Sequence, residues 1–124
     1  MDIDVRGSNG TVLKIKSDEV LNASRGNSII LRIKGDEICD AQNGNRVLLR
    51  IKGNDICDAQ NGNSVVLNVR GGGNEVCERS TGTVLFKVKA NEICTLNGTT
   101  ICSISSSRFE NKHLASILKG LGKI

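Results

Sequence analysis

The chain has 124 residues with 14 Gly, no Pro, no Trp, no Tyr and two Phe; 38% of its residues are hydrophobic and 24% charged. That length allows one modest core; the balance of apolar and charged residues excludes a disordered or collagen-like chain. The shortage of aromatics excludes recognition built on stacking platforms for sugars or single strands, and a net charge of +4 is too small for a nucleic-acid footprint, so no sequence-specific nucleic acid is expected as a partner.

The first residues, MDIDVRG, carry two acids and no apolar run, unlike a secretory leader. Five cysteines cannot all pair within one chain. Both features read as a cytoplasmic protein with free thiols.

Self-similarity then organises almost everything that follows. After a half unit DIDVRGSN, the frame GTVLKIKSDEVLNASRGN occupies residues 10–27, SIILRIKGDEICDAQNGN residues 28–45 and RVLLRIKGNDICDAQNGN residues 46–63. The fourth copy, SVVLNVRGGGNEVCERSTG, carries Gly72 and Gly73 as an insertion; TVLFKVKANEICTLNGT follows, then a second half unit, TICSIS. Five full repeats are thus flanked by two partial ones. Each reads as two short β-branched strands joined by a two-residue turn such as Gly35-Asp36 or Gly53-Asn54, with a Gly-rich loop leading to the next copy. The predicted fold is all-β, with about twelve short antiparallel strands in a meander.

A base precedes every tight turn, at Lys16, Lys34, Lys52, Arg70 and Lys89, and an acid follows it, at Glu19, Glu37, Asp55, Glu75 and Glu92. Across a two-residue hairpin such a pair faces directly and contributes about 0.2–1 kcal/mol. Ile33 with Ile38, Ile51 with Ile56, and Leu31 and Leu49 lie on the opposite face and form the expected core. Stacked as a solenoid, the repeats would put like charges about 4.8 Å apart in long rows. Hairpins set around an axis avoid those rows, so a closed, pseudo-symmetric barrel- or flower-like array is expected over a solenoid.

The last twenty residues differ in kind, with four cations against one anion. Ser107-Arg-Phe-Glu110 has the Ser-x-x-Glu form of a capping box, and Leu114, Ile117, Leu118 and Leu121 follow at helical spacing. Gly120 and Gly122 supply the stop, with Lys119 and Lys123 at the favourable end of the dipole. A helix of about 13 residues is marginal alone. The expected organisation is therefore a hairpin-repeat domain over residues 1–104 and an amphipathic helix over 105–124, docked in or across the array. The same apolar face would otherwise meet a partner protein or an anionic membrane.

The string Ile38-Cys-Asp40-Ala-Gln-Asn-Gly44-Asn-Arg-Val47-Leu-Leu-Arg-Ile51-Lys-Gly53 resembles the Ile-Tyr-Asp…Gly…Val-Gly-x-Ile repeats of small bacterial proteins described as four-fold β-flowers. Ile38, Asp40, Gly44, Val47 and Ile51 match; Cys39 stands at the Tyr position, and the loop is one residue longer. The likeness runs over roughly residues 10–104 and implies radially arranged hairpins, with no known activity. In strand count and terminal helix the chain is also similar to the longer tubby and LURP-one type, which implies twelve antiparallel strands closed around a hydrophobic C-terminal helix. Some tubby-like domains bind phosphoinositides, but none of that binding motif maps onto residues here.

Cys39, Cys57, Cys77 and Cys94 share one repeat column. Their wide spacings lack the close Cys-x-x-Cys pairs of structural zinc sites, so they read as small buried hydrophobes, and Cys102, in another column, as a valine substitute. His113 reads as a solvated helix residue without a nucleophile beside it. The acids and glycines recur with the turns and are assigned to them, leaving no catalytic residue, metal or cofactor to nominate. The function expected is that of a non-enzymatic structural or protein-interaction module, self-associating through strand edges or the tail face. The alternative is binding of an anionic ligand or acidic lipid through Lys16, Lys34, Lys52, Arg70 and Lys89, or through the basic tail.

Overall fold

The computed structural model describes residues 2–106 and 109–124. Twelve strands follow in order: β1 (Asp2–Gly7), β2 (Gly10–Lys16), β3 (Glu19–Asn22), β4 (Ser28–Lys34), β5 (Glu37–Asp40), β6 (Arg46–Lys52), β7 (Asp55–Asp58), β8 (Ser64–Arg70), β9 (Glu75–Glu78), β10 (Val84–Lys89), β11 (Glu92–Thr95) and β12 (Thr100–Ile104). The helix α1 spans Asn111–Gly120. Every strand pairs antiparallel with its chain neighbours, and β12 pairs with β1 to close the barrel. A stacked solenoid is thereby excluded.

The two partial repeats combine. Asp4 lies opposite Lys14 and Val5 opposite Leu13, just as Glu37 lies opposite Arg50 and Ile38 opposite Leu49. Cys102 lies opposite Ile93 in the same relation as Leu49 to Ile38. β12 and β1 are thus the long and short strands of a sixth hairpin, open at its turn, where β12 runs on toward α1 and β1 begins. Its seam is sewn by Ser105, whose N–H donates to Asp4 O at 2.9 Å and whose Oγ accepts from the Asp4 N–H at 2.8 Å.

Turn chemistry makes the hairpins. Gly35 and Gly53 take left-handed φ of 58° and 61° at the first turn position while the second residue stays at negative φ, the pattern of a II′ turn. Ser17 and Ala90 fill that position in two other hairpins, at φ 55° and 52°. The insertion sits at a hairpin tip, where residues 71–74 replace a two-residue turn. The second turn residue also locks each hairpin to the next: carbonyls of Asp18, Asp36 and Asn54 accept from the N–H groups of Ile33, Ile51 and Val69 at 2.7–2.8 Å.

Inward residues of the wall, such as Ile15, Ile33, Ile38, Ile56 and Val76, are fully or almost fully buried. A twelve-strand barrel is too wide for such side chains to fill alone, and α1, about 10 Å across with its side chains, occupies the space. His113 through Leu118 are all buried, and Leu114, Ala115, Ile117 and Leu118 share one cluster with the wall. The repeat segment and the tail therefore form a single core. The helix is shorter than expected and starts later: Glu110 is its N-cap, not the N3 residue of a box begun at Ser107, which with Arg108 lies outside the described residues. The cap is reciprocal with His113, whose Nδ1 accepts from the Glu110 N–H at 3.0 Å. At the other end Gly122 has φ 73°, its N–H donates to Lys119 O and the Lys123 N–H donates to Leu118 O. That is the Schellman stop.

Candidate functional site at the loop end of the barrel

The barrel has two different ends. The tight turns gather at one, the Gly-rich loops at the other, and α1 runs from the first to the second. Asn111 Nδ2 ties its start to the turn end, donating to Gly53 O at 3.0 Å and Asn54 Oδ1 at 3.2 Å. Gly120 lies at the loop end, where a Cβ would stand 2.9 Å from Leu13 Cδ1.

Lys16, Lys34, Lys52, Arg70 and Lys89 are all exposed on the outer wall near the turn end. Equivalent positions are two strands apart, about 9–10 Å, so the bases do not converge. In register each faces the acid of its own hairpin: Lys16 with Glu19, Lys34 with Glu37, Lys52 with Asp55, Arg70 with Glu75 and Lys89 with Glu92. The ion pairs, however, run between repeats rather than within them. Arg32 Nε donates to Glu19 at 3.5 Å and Arg50 Nε to Glu37 at 3.0 Å, while their Nη1 groups donate to Asn45 and Asn63 at 2.8 Å. The planar guanidinium fork holds these two acceptors at once in a fixed geometry. The ring is thus an alternation of charges with every acid flanked by a base of its own hairpin.

The tail face is consumed. Leu114, Ile117 and Leu118 are buried inside the barrel and Leu121 is half-buried at its exit, so this face docks within the chain and is not offered to a partner. Strand edges are consumed too, because the barrel is closed. Both surfaces expected to drive self-association are therefore absent from the exterior.

His113 is corrected as well: it is 6% exposed, not solvated. Because Nδ1 accepts, the neutral ring carries its proton on Nε2, and burial holds its pKa below 6.5. Ser116, also buried, donates its hydroxyl to Lys112 O at 2.7 Å. Cys39, Cys57, Cys77 and Cys94 are buried but lie on the outer side of the sheet, since Cys39 pairs in register with Arg32 and Val47 and none of the four joins the interior cluster. Set around the wall, they cannot close on one tetrahedral ion. Burial raises the Cys39 thiol, and it pushes that of Cys102, which does join the interior, up to about 11.

What the repeat reading missed is at the loop end. Each pairing of a short strand with the following long strand carries a β-bulge, and the extra residues are Val12, Ile30, Leu48, Val66, Leu85 and Ile101. The signal was present: Val47-Leu48-Leu49 is one aliphatic too many for strict alternation. All but Val66 pack against the core from the loop end. Among the described residues the exposed large hydrophobics are Val66, 37% exposed, and Leu96, 55%, and both belong to this end.

Because α1 packs closest to β3, β4 and β5, the wall around β6–β8 stands away from its last turn. The gap is a cavity of about 340 Å³ with aliphatic sides of Leu48, Leu49, Val66, Leu67 and Ile124. Asp58, Gln60 and Lys119 supply its polar rim. Asp58 Oδ1 accepts from the Gln60 N–H at 3.0 Å, and Lys119 Nζ donates to Ile124 O at 3.4 Å. The equivalent loop of the preceding repeat holds Asp40, whose carboxyl is kept below its usual range chiefly by the Asn43 side-chain amide, 2.7 Å away. Among the described residues no three His, Cys, Asp or Glu side chains are grouped to hold a metal ion, and no helix is long and apolar enough to cross a membrane.

No protein-family model matches the sequence, and comparison with curated proteins and with solved structures gives no match either.

Proposed function

We propose that the protein is a non-enzymatic interaction module that uses the closed barrel as a rigid frame and its loop end as the working face. One observation carries the reading: with sheet edges and tail face used internally, the large aliphatics left exposed among the described residues, Val66 and Leu96, both belong to the loop end. Val66 also lines the apolar-walled cavity at this end, and such a cavity with a few polar groups on its rim is the usual mark of a binding site. The alternation of bases with acids around the turn end gives less support to anion binding there.

An anilinonaphthalenesulfonate dye, apolar and anionic, separates the two readings. Its fluorescence is expected to rise with the native protein, to be lost in Val66→Asp/Leu96→Asp with unchanged far-ultraviolet circular dichroism, and to survive Lys34→Glu/Lys52→Glu. Loss only in the lysine variant would move the working face to the basic ring. No response at all would sink both.

A further inference from the structure

We propose that Asn61-Gly62, in the loop between β7 and β8, is a site of spontaneous modification, at which Asn61 becomes aspartate and isoaspartate through a cyclic imide closed by the Gly62 nitrogen. Four Asn-Gly dipeptides, Asn9-Gly10, Asn43-Gly44, Asn61-Gly62 and Asn97-Gly98, stand in the connections at the loop end of the barrel, and all eight residues are exposed. Glycine favours ring closure because no Cβ crowds the approach to its nitrogen. The Gly62 nitrogen gives its proton to solvent hydroxide and attacks Asn61 Cγ; the Cγ–Nδ2 bond breaks, and ammonia leaves with a proton taken from water. Water then opens the imide. Attack at Cγ restores the main chain as aspartate, whereas attack at the Asn61 main-chain carbonyl carbon leaves the chain running through Cγ as isoaspartate. Nothing is oxidised or reduced, and water is the co-reactant.

The fold selects among the four. Closure needs an asparagine side chain free to turn toward the next residue and a backbone nitrogen that is not donating. Gly98 fails, since its N–H donates to Thr95 O at 3.0 Å and the Asn97 side chain is held by the Thr95 hydroxyl. Gly10 opens β2 and is fixed in register opposite Gly7. Asn43 and Asn61 occupy the same place in the identical hexapeptide Asp-Ala-Gln-Asn-Gly-Asn, residues 40–45 and 58–63. The Asn43 amide, however, donates to Asp40 Oδ2 at 2.7 Å, a bond that must break before the ring can close. Among the described residues no hydrogen bond holds the Asn61 side chain or the Gly62 N–H, and a Cβ on Gly62 would meet nothing within 4 Å. The product adds a carboxylate to the loop whose Asp58 and Gln60 line the cavity rim, and lowers the net charge of +4 by one.

Peptide mass mapping of the full chain, aged in mildly alkaline buffer with and without urea, tests this. In the folded protein the Asn61 peptide is expected to gain one mass unit about tenfold faster than the Asn43 peptide, the factor for one hydrogen bond to a charged acceptor. In urea the two identical hexapeptides should convert at nearly equal rates. Asp40→Ala, with far-ultraviolet circular dichroism unchanged, should bring Asn43 to the pace of Asn61. Asn61→Gln, whose longer side chain closes a larger ring far more slowly, should abolish conversion in its loop. Isoaspartate is expected together with aspartate; aspartate alone would mean direct hydrolysis and overturn the imide route. Conversion of Asn43 as fast as Asn61 in the folded chain would overturn the assignment, as would a tenfold difference that persists in urea.

Discussion

At the scale of single residues, backbone sign decides more than side-chain chemistry. The first position of each tight turn needs a left-handed φ, which Gly35 and Gly53 adopt without cost and Ala90 adopts at φ 52° against the contact of its own Cβ. Replacing Ala90 with Gly removes that strain and loosens the unfolded chain slightly. The expected net effect is a gain of about 1 kcal/mol, seen as a melting temperature a few degrees higher, and unchanged or lowered stability would show that the turn is relaxed as it stands. These positions were legible in the sequence because turn residues announce themselves locally. The cysteine column was legible as buried, but not as outward-facing, since its direction depends on which neighbour each strand acquires.

Elements carry the next level. The helix is held at its start by a cap in which His113 must stay neutral to accept from the Glu110 N–H. A proton on this ring would remove the acceptor and place a positive charge at the positive end of the helix dipole. The folded state therefore lowers the imidazole pKa, chiefly through burial, with the Lys112 charge acting in the same direction and Glu110 and Asp18 opposing it. Stability from this residue is complete above the ordinary value of 6.5 and declines as pH falls below it, because the unfolded chain takes up a proton that the folded protein resists. Thermal unfolding is expected to shift downward between pH 7 and pH 5. His113→Gln, which keeps an acceptor suited to a capping box, should flatten that slope; an equal slope in the variant would assign it to other groups. The helix itself was legible from the spacing of Leu114, Ile117, Leu118 and Leu121. Its true cap was not, because Ser107 and Glu110 satisfy the same spacing rule and only the docked geometry selects between starts.

For the whole molecule, closure is the governing event. Two half repeats with nothing to pair with in the sequence become one hairpin, and the amphipathic face that looked available for a partner becomes the filling of the barrel. Ile117, fully buried on the central helix, is expected to cost about 2–5 kcal/mol when replaced by Ala, and chemical denaturation would measure it. Leu121→Ala, at the half-buried exit, should cost distinctly less. Equal and small losses would mean that the helix rests on the barrel rather than within it.

The sequence by itself determined the repeating hairpin, its turn residues, the alternation of inward aliphatics with outward charges, and the presence of one terminal helix. These are short-range properties, set by φ preferences and by which side chains leave water. Tertiary structure decided that β12 meets β1, that α1 threads the barrel from turn end to loop end, and that six bulges turn extra aliphatics toward the loop end. Each of these depends on contacts between residues far apart in the chain. No local pattern specifies them, because a barrel's width, and hence what must fill it, is fixed only once all twelve strands have paired.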